Sequence, residues 1–183
     1  MTEVDLRSSA AEAAVADGEA ASALAPWGPE VDWFWEDFQV GQALDLGTHL
    51  ITEAEITAFG RQFDPQPFHA DRELAQTSVY KGLIASGWHS AAIWMRLYWE
   101  TVLRRSASLG SPGVEHLDWL APVRPGDVLR GSLRVTSTRP SRSKPDRGLV
   151  QIQGELQDQH QVLKLQMTAW GLFGMRPERA TKG

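Results

Sequence analysis

At 183 residues and 20.3 kDa the chain suits one domain, long enough to bury a core. A net charge of −5 and a pI near 5.5 speak against a nucleic-acid module, whose affinity comes chiefly from phosphate neutralisation by Lys and Arg. The lack of cysteine excludes a disulfide framework, a thiolate metal site and a cysteine nucleophile, and with neither a leader pattern nor a bilayer-length apolar run the expectation is a soluble cytoplasmic protein with no membrane contact.

Residues 1–30 are rich in alanine and acids without a sustained apolar face, which predicts a disordered tail or a weak helix. A single domain is expected over 31–175, with a short C-terminal tail at 176–183. Trp33, Phe34, Trp35 and Phe38 crowd four aromatics into six residues, a cluster that should be buried against the domain or a partner subunit. Leu44, Leu46, Thr48 and Leu50 alternate as a first strand. Thr52-Glu53-Ala54-Glu55 reads as a capping box opening a helix from Glu53 to about Gln62. Its Ile56, Phe59 and Phe63 are spaced to face one core, and it delivers Asp64 at its exit.

The stretch from Phe63 to Asp71 then sets a carboxylate, Asp64, five residues before an imidazole, His69, with Pro65 and Pro67 between them. Residues preceding proline are pushed away from the α region, so Asp64 and Gln66 should be extended in a rigid loop rather than a helix. Run straight as polyproline II, five steps cover about 15 Å at roughly 3.1 Å each, too far for both groups to grip one water. If the loop curves, acid and imidazole converge as general acid–base chemistry requires. The plainer reading is that Asp71 caps a short helix from Arg72, Asp64 turns the backbone and His69 makes a local hydrogen bond.

A short helix over Arg72–Gln76 precedes the longest helical segment, Gly87 to about Arg105. Trp88, Ala91, Ala92, Met95, Trp99 and Val102 form one stripe, while Ile93, Trp94, Leu97 and Tyr98 occupy the other sides; a helix apolar almost all round should be buried. Gly87 opens it, where amides lack intrahelical partners and the dipole favours negative charge, so it is a candidate oxyanion donor; tight packing is the alternative use of that glycine. Ser86 is a candidate cap or pocket hydroxyl. His89 reads as a hydrogen-bonded core or interface residue, and His49, His116 and His160 are not spaced as metal ligands, so no metal is expected. Three alternating runs follow, Leu129 to Val135, Val150 to Leu156 and Leu163 to Ala169, preceded by a strand at Leu117, Trp119 and Ala121. Polar turns join the three runs into an antiparallel meander, and a long helix with a meander is an α+β plan.

Asp64-Pro65-Gln66-Pro67-Phe68-His69 resembles the hydratase signature of the MaoC-like dehydratases, the (R)-specific enoyl-CoA hydratase family. Ile84 to Trp88 is similar to the segment opening that family's central helix, and Leu117 to Asp127 to its later strand and turn. This chain departs from the pattern at Phe63, usually glycine, at Gln66, usually asparagine, and at Phe68, usually aliphatic, which bears on the pocket mouth and the substrate. The resemblance implies a hot-dog fold, an antiparallel sheet wrapped around one long buried helix. It implies reversible hydration of a trans-2-enoyl-CoA to an (R)-3-hydroxyacyl-CoA by Asp64 and His69 holding the water, with Gly87 as oxyanion donor and Gln66, Phe68, Ser86 and Trp88 around the substrate. CoA enters only as part of the substrate, so no separate cofactor is expected; the partners are an acyl-CoA or acyl-carrier thioester and a second copy in a homodimer. Arg139, Arg142, Lys144 and Arg147 make a basic loop that reads as solvated rather than as a site for CoA phosphates. Two other classes compete: a hot-dog thioesterase using Glu100, about 20 Å from Gly87 at 1.5 Å per residue, and a non-catalytic acyl-CoA-binding or assembly subunit.

Overall fold

The computed structural model describes residues 31–177; the expected N-terminal tail and most of the C-terminal one lie outside the described residues. Strands β1 (Ala43–Leu50), β2 (Gly113–Trp119), β3 (Val128–Pro140), β4 (Arg147–Gln157) and β5 (Leu163–Gly174) form one antiparallel sheet in the order β1-β3-β4-β5-β2. The helices are α1 (Glu53–Phe63), α2 (Pro67–Ala70), α3 (Arg72–Thr77) and α4 (Gly87–Thr101), with 3-10 turns at Trp35–Asp37 and Leu103–Arg105. The meander of β3, β4 and β5 and the α+β plan agree with the sequence reading. Among the described residues no helix is long and apolar enough to cross a membrane.

Local chemistry sets the helix starts. Thr52 and Glu55 complete the reciprocal capping box of α1, Asp71 accepts from the amides of Glu73 and Leu74 to start α3, and Ser86 caps α4. The α4 helix then lies on the sheet through Ile93, Trp94, Leu97 and Tyr98. Trp94 is the deepest contact: a Cβ on Gly154 of β4 would stand 2.4 Å from its ring, and its indole N–H donates to the Ser132 carbonyl at 3.0 Å. Any side chain at 154 would hold the helix off the sheet.

Several expectations are corrected. The α4 helix is not buried all round, since Trp88, Met95 and Trp99 are 61%, 45% and 46% exposed. A single sheet covers only one face of a helix, and these three share the opposite face. Phe63 is exposed too, with its ring set against Phe59, because the chain turns away at Pro65. In β1 a register shift between Asp45 and Gly47 breaks the alternation, so Leu46 is buried but Leu50 faces out. The aromatic cluster closes on its own domain: Phe38 meets Phe173 at 4.4 Å and the Trp35 indole donates to the Leu149 carbonyl. The basic loop joins β3 to β4, roughly 30 Å along β4 from the Asp158–Val162 reversal, at about 3.3 Å per strand residue. After β5, Arg176 pairs with Asp37 and packs over Phe34.

Candidate active site

The Asp64–His69 segment curves by a route the sequence reading did not foresee. Asp64 ends α1, its amide donating to the Gly60 carbonyl at 2.9 Å. Gln66 is extended, as its proline neighbour requires, but Pro67 to Ala70 then make one turn of helix, α2. A proline at the first helical position gives up an amide that had no intrahelical partner, so the expected loop becomes a helical turn at no cost. That turn swings His69 back toward Asp64, leaving His69 Nε2 3.5 Å from Asp64 Oδ2. The two segments touch where a Cβ on Gly60 would lie 2.2 Å from the His69 carbonyl oxygen, so only glycine permits the approach. A lone glycine inside a helical pattern was the available signal for Gly60.

Both side chains are aimed from outside their own segment. His69 is buried, and its Nδ1 lies 2.8 Å from the Ile84 carbonyl. A carbonyl can only accept, so Nδ1 carries the proton and, in the neutral ring, Nε2 is an acceptor facing Asp64. Asp64 accepts from Gln66 Nε2 at 2.9 Å and from Ser86 Oγ at 2.7 Å. The hydrogen bonds from the Gln66 amide and then from Ser86 outweigh desolvation and hold the Asp64 carboxyl below its ordinary value, so the site contains a carboxylate. The Ser86 hydroxyl also accepts from the Trp88 amide at 3.3 Å, tying the start of α4 to the carboxylate.

These groups open on a cavity of about 410 Å³ lined by all seven sequence-selected residues: Asp64, Gln66, Phe68, His69, Ser86, Gly87 and Trp88. Tyr80, Trp119, Pro122, Val123 and Lys164 also line it, and the sequence reading missed them as site residues because they arrive from distant segments. Phe68 stands edge-on to both His69 and Tyr80, and Trp88 and Trp119 meet edge to face at 5.3 Å. A Cβ on Gly87 would lie 2.4 Å from the Trp119 ring, so the packing use of this glycine holds, and the residue itself lines the cavity at the first turn of α4.

Two other candidates fall elsewhere. Glu100 is exposed and bound to Arg96 one turn away, and it does not line the cavity. His89 is buried as expected, but its Nδ1 makes no hydrogen bond among the described residues; stacking on Phe59, 4.6 Å away and nearly parallel, holds it instead. Burial pushes it below the ordinary histidine value.

Residues 37–153 match the model of the MaoC like domain. The chain is 33% identical over 114 residues to the (R)-specific enoyl-CoA hydratase of Rhodospirillum rubrum, covering 60% of this chain and 74% of that protein. It also resembles the crystal structure of a MaoC-like dehydratase from Rhodospirillum rubrum, at 41% identity and a TM-score of 0.74 over 80% of this chain and 99% of that one. The fold, though not a specific activity, is shared with an (R)-hydratase from A. caviae involved in PHA biosynthesis, at 24% identity and a TM-score of 0.61 over 77% of this chain and 99% of that one.

Proposed function

The chain belongs to the MaoC-like domain family with its hot-dog fold, and from that premise we propose that it reversibly hydrates a trans-2-enoyl thioester to the (R)-3-hydroxyacyl thioester. The observation that carries this reading is the pairing of a carboxylate with an imidazole acceptor, 3.5 Å apart, at the wall of one cavity. Two acceptors side by side suit a water that donates one hydrogen to Asp64 and the other to His69 Nε2, leaving an oxygen lone pair for the substrate. As that oxygen bonds to C3 its proton passes to the pair, the π electrons of the double bond move onto C2 and the thioester oxygen, and the pair then gives one proton to C2 and returns to its starting state. Negative charge gathering on the thioester oxygen meets the Gly87 amide at the positive end of α4. Hydration moves no electrons to or from the substrate, so the reading asks for no cofactor beyond the thioester's own carrier, CoA or an acyl-carrier protein.

With a trans-2-enoyl-CoA panel the conjugated chromophore should disappear reversibly without release of thiol. Asp64→Asn and His69→Ala should each lower turnover by about 10²–10⁴-fold in a folded protein, the usual loss for a positioned acid or base. The double variant should be little worse than the more damaging single one, because both groups hold one water. Unchanged hydration by folded Asp64→Asn would reject the site. Thiol release would instead identify a thioesterase, and binding without turnover across the panel a non-catalytic subunit.

A further inference from the structure

We propose that Lys164, which lines the same cavity, is a positioning residue for His69 and Asp64; the inference rests on the hydratase reading of that site. Lys164 stands near the start of β5 with its side chain 9% exposed. Its ammonium group donates to the Pro122 carbonyl at 3.0 Å and to Asp158 Oδ2 at 3.0 Å, and lies 3.6 Å from Asp127 Oδ2. Both carboxylates are themselves anchored, Asp158 by the amides of His160 and Val162 and Asp127 by that of Arg124. The Lys164 carbonyl also accepts from the Leu120 amide at 2.9 Å. One residue therefore gathers the cavity wall, the turn before β3 and the turn before β5.

From that wall a line of hydrogen bonds runs to the acid–base pair. The Val123 carbonyl accepts from the Ala85 amide at 2.9 Å. The preceding residue, Ile84, binds the Phe68 carbonyl through its amide and His69 Nδ1 through its carbonyl. The following residue, Ser86, donates to Asp64. Wherever the wall sits, Ile84 to Ser86 transmit that position to both reacting groups. Burying a lysine with two carboxylates is seldom the most stabilising way to fill such a space, because the desolvation cost offsets the attraction; its distinctive effect is to fix three segments in one register.

Lys164→Met keeps the stem and removes the donor, but it strands buried carboxylates, so Lys164→Met/Asp158→Asn is prepared beside it to restore charge balance. The double variant should keep a near-native thermal midpoint while kcat for enoyl-thioester hydration falls about tenfold or more, with a smaller change in KM, as for a misplaced reacting group. The Ala85 amide should exchange faster and the His69 Nδ1–H resonance should shift, and Lys164→Arg should retain part of the turnover. A folded double variant with wild-type kcat, unchanged Ala85 exchange and an unmoved His69 resonance would overturn the inference. If the wild-type protein hydrates no enoyl thioester, the hydratase reading fails by itself, and the exchange and resonance measurements still decide the positioning role.

Discussion

Gly87→Ala and Gly154→Ala pose the same local problem and should have opposite outcomes. In each, the new Cβ would stand 2.4 Å from an indole carbon, about 1 Å inside ordinary contact, so the ring must retreat by about that much. Trp119, facing Gly87, is 48% exposed, and its neighbour Trp88 is more exposed still. It can swing toward solvent for about 0.5–1.5 kcal/mol of rotamer strain, offset by the roughly 0.4–1 kcal/mol gained from a stiffer unfolded chain. Trp94, facing Gly154, is 1% exposed and hydrogen-bonded to Ser132. Overpacking there costs about 1–3 kcal/mol and the strained hydrogen bond about 1 more, for a net loss of roughly 2–3 kcal/mol. By calorimetry Gly154→Ala should lower Tm by about 4–10 °C and Gly87→Ala by no more than about 2 °C. In hydration assays the ranking reverses: Gly87→Ala displaces a cavity wall and sets a methyl group beside the first-turn amide, so kcat/KM should fall at least about tenfold. Equal Tm losses would refute the argument that ring exposure decides the cost, and an unchanged kcat/KM for Gly87→Ala would remove Gly87 and Trp119 from the reacting centre.

Three further outcomes are expected. Gln66→Met removes the largest influence depressing the Asp64 carboxyl, so the Asp64 carboxyl carbon resonance should titrate at higher pH than in the wild type; coincident titrations would show that Gln66 does not hold the charge. His89 lies below its ordinary 6.5 because it is buried, so its contribution to stability is complete above that pH and is lost as pH falls and the unfolded chain takes up the proton first. His89→Phe keeps a ring over Phe59, and its unfolding free energy should fall less steeply than the wild type's as the pH drops below the ordinary histidine value of 6.5; parallel slopes would refute the assignment. The exposed stripe Trp88, Met95 and Trp99 adjoins the open edge of β2 through the Trp88–Trp119 contact, an apolar surface suited to a second copy of the chain. Light scattering should find a dimer that Met95→Glu/Trp99→Glu converts to a monomer, and a monomeric wild type at micromolar concentration would exclude it.

What could be read in the sequence was whatever is settled within a few residues. Thr52, Asp71 and Ser86 each cap a helix through an amide two or three positions on, and β3 to β5 alternate because one face of each is covered by the core. The direction in which α4 presents its faces was not local. Ile93 and Trp94 look no more apolar than Trp88 and Trp99; the hollow at Gly154, sixty residues later, decides which of them goes inside. The same limit explains Leu50, whose outward turn follows from a bulge that pairing with β3 imposes on β1.

The candidate site divides along the same line, and the division bears on the chemistry. Asp64 and His69 were legible as residue types in a stiff segment, but spacing alone left open whether their atoms converge and which ring nitrogen faces the acid. Both answers come from fifteen to twenty-two residues downstream, where the Ile84 carbonyl fixes Nδ1 as the donor and Ser86 fixes the carboxylate. With Nδ1 committed to the Ile84 carbonyl, the neutral form of His69 presents a lone pair toward Asp64, and on the proposed reading the pair takes a proton from water in the hydration direction. On the proposed reading dehydration runs the same way backwards, the pair taking the C2 proton and passing one to the departing hydroxyl, so that one proton carried by two groups 3.5 Å apart serves both directions and leaves the pair as it began.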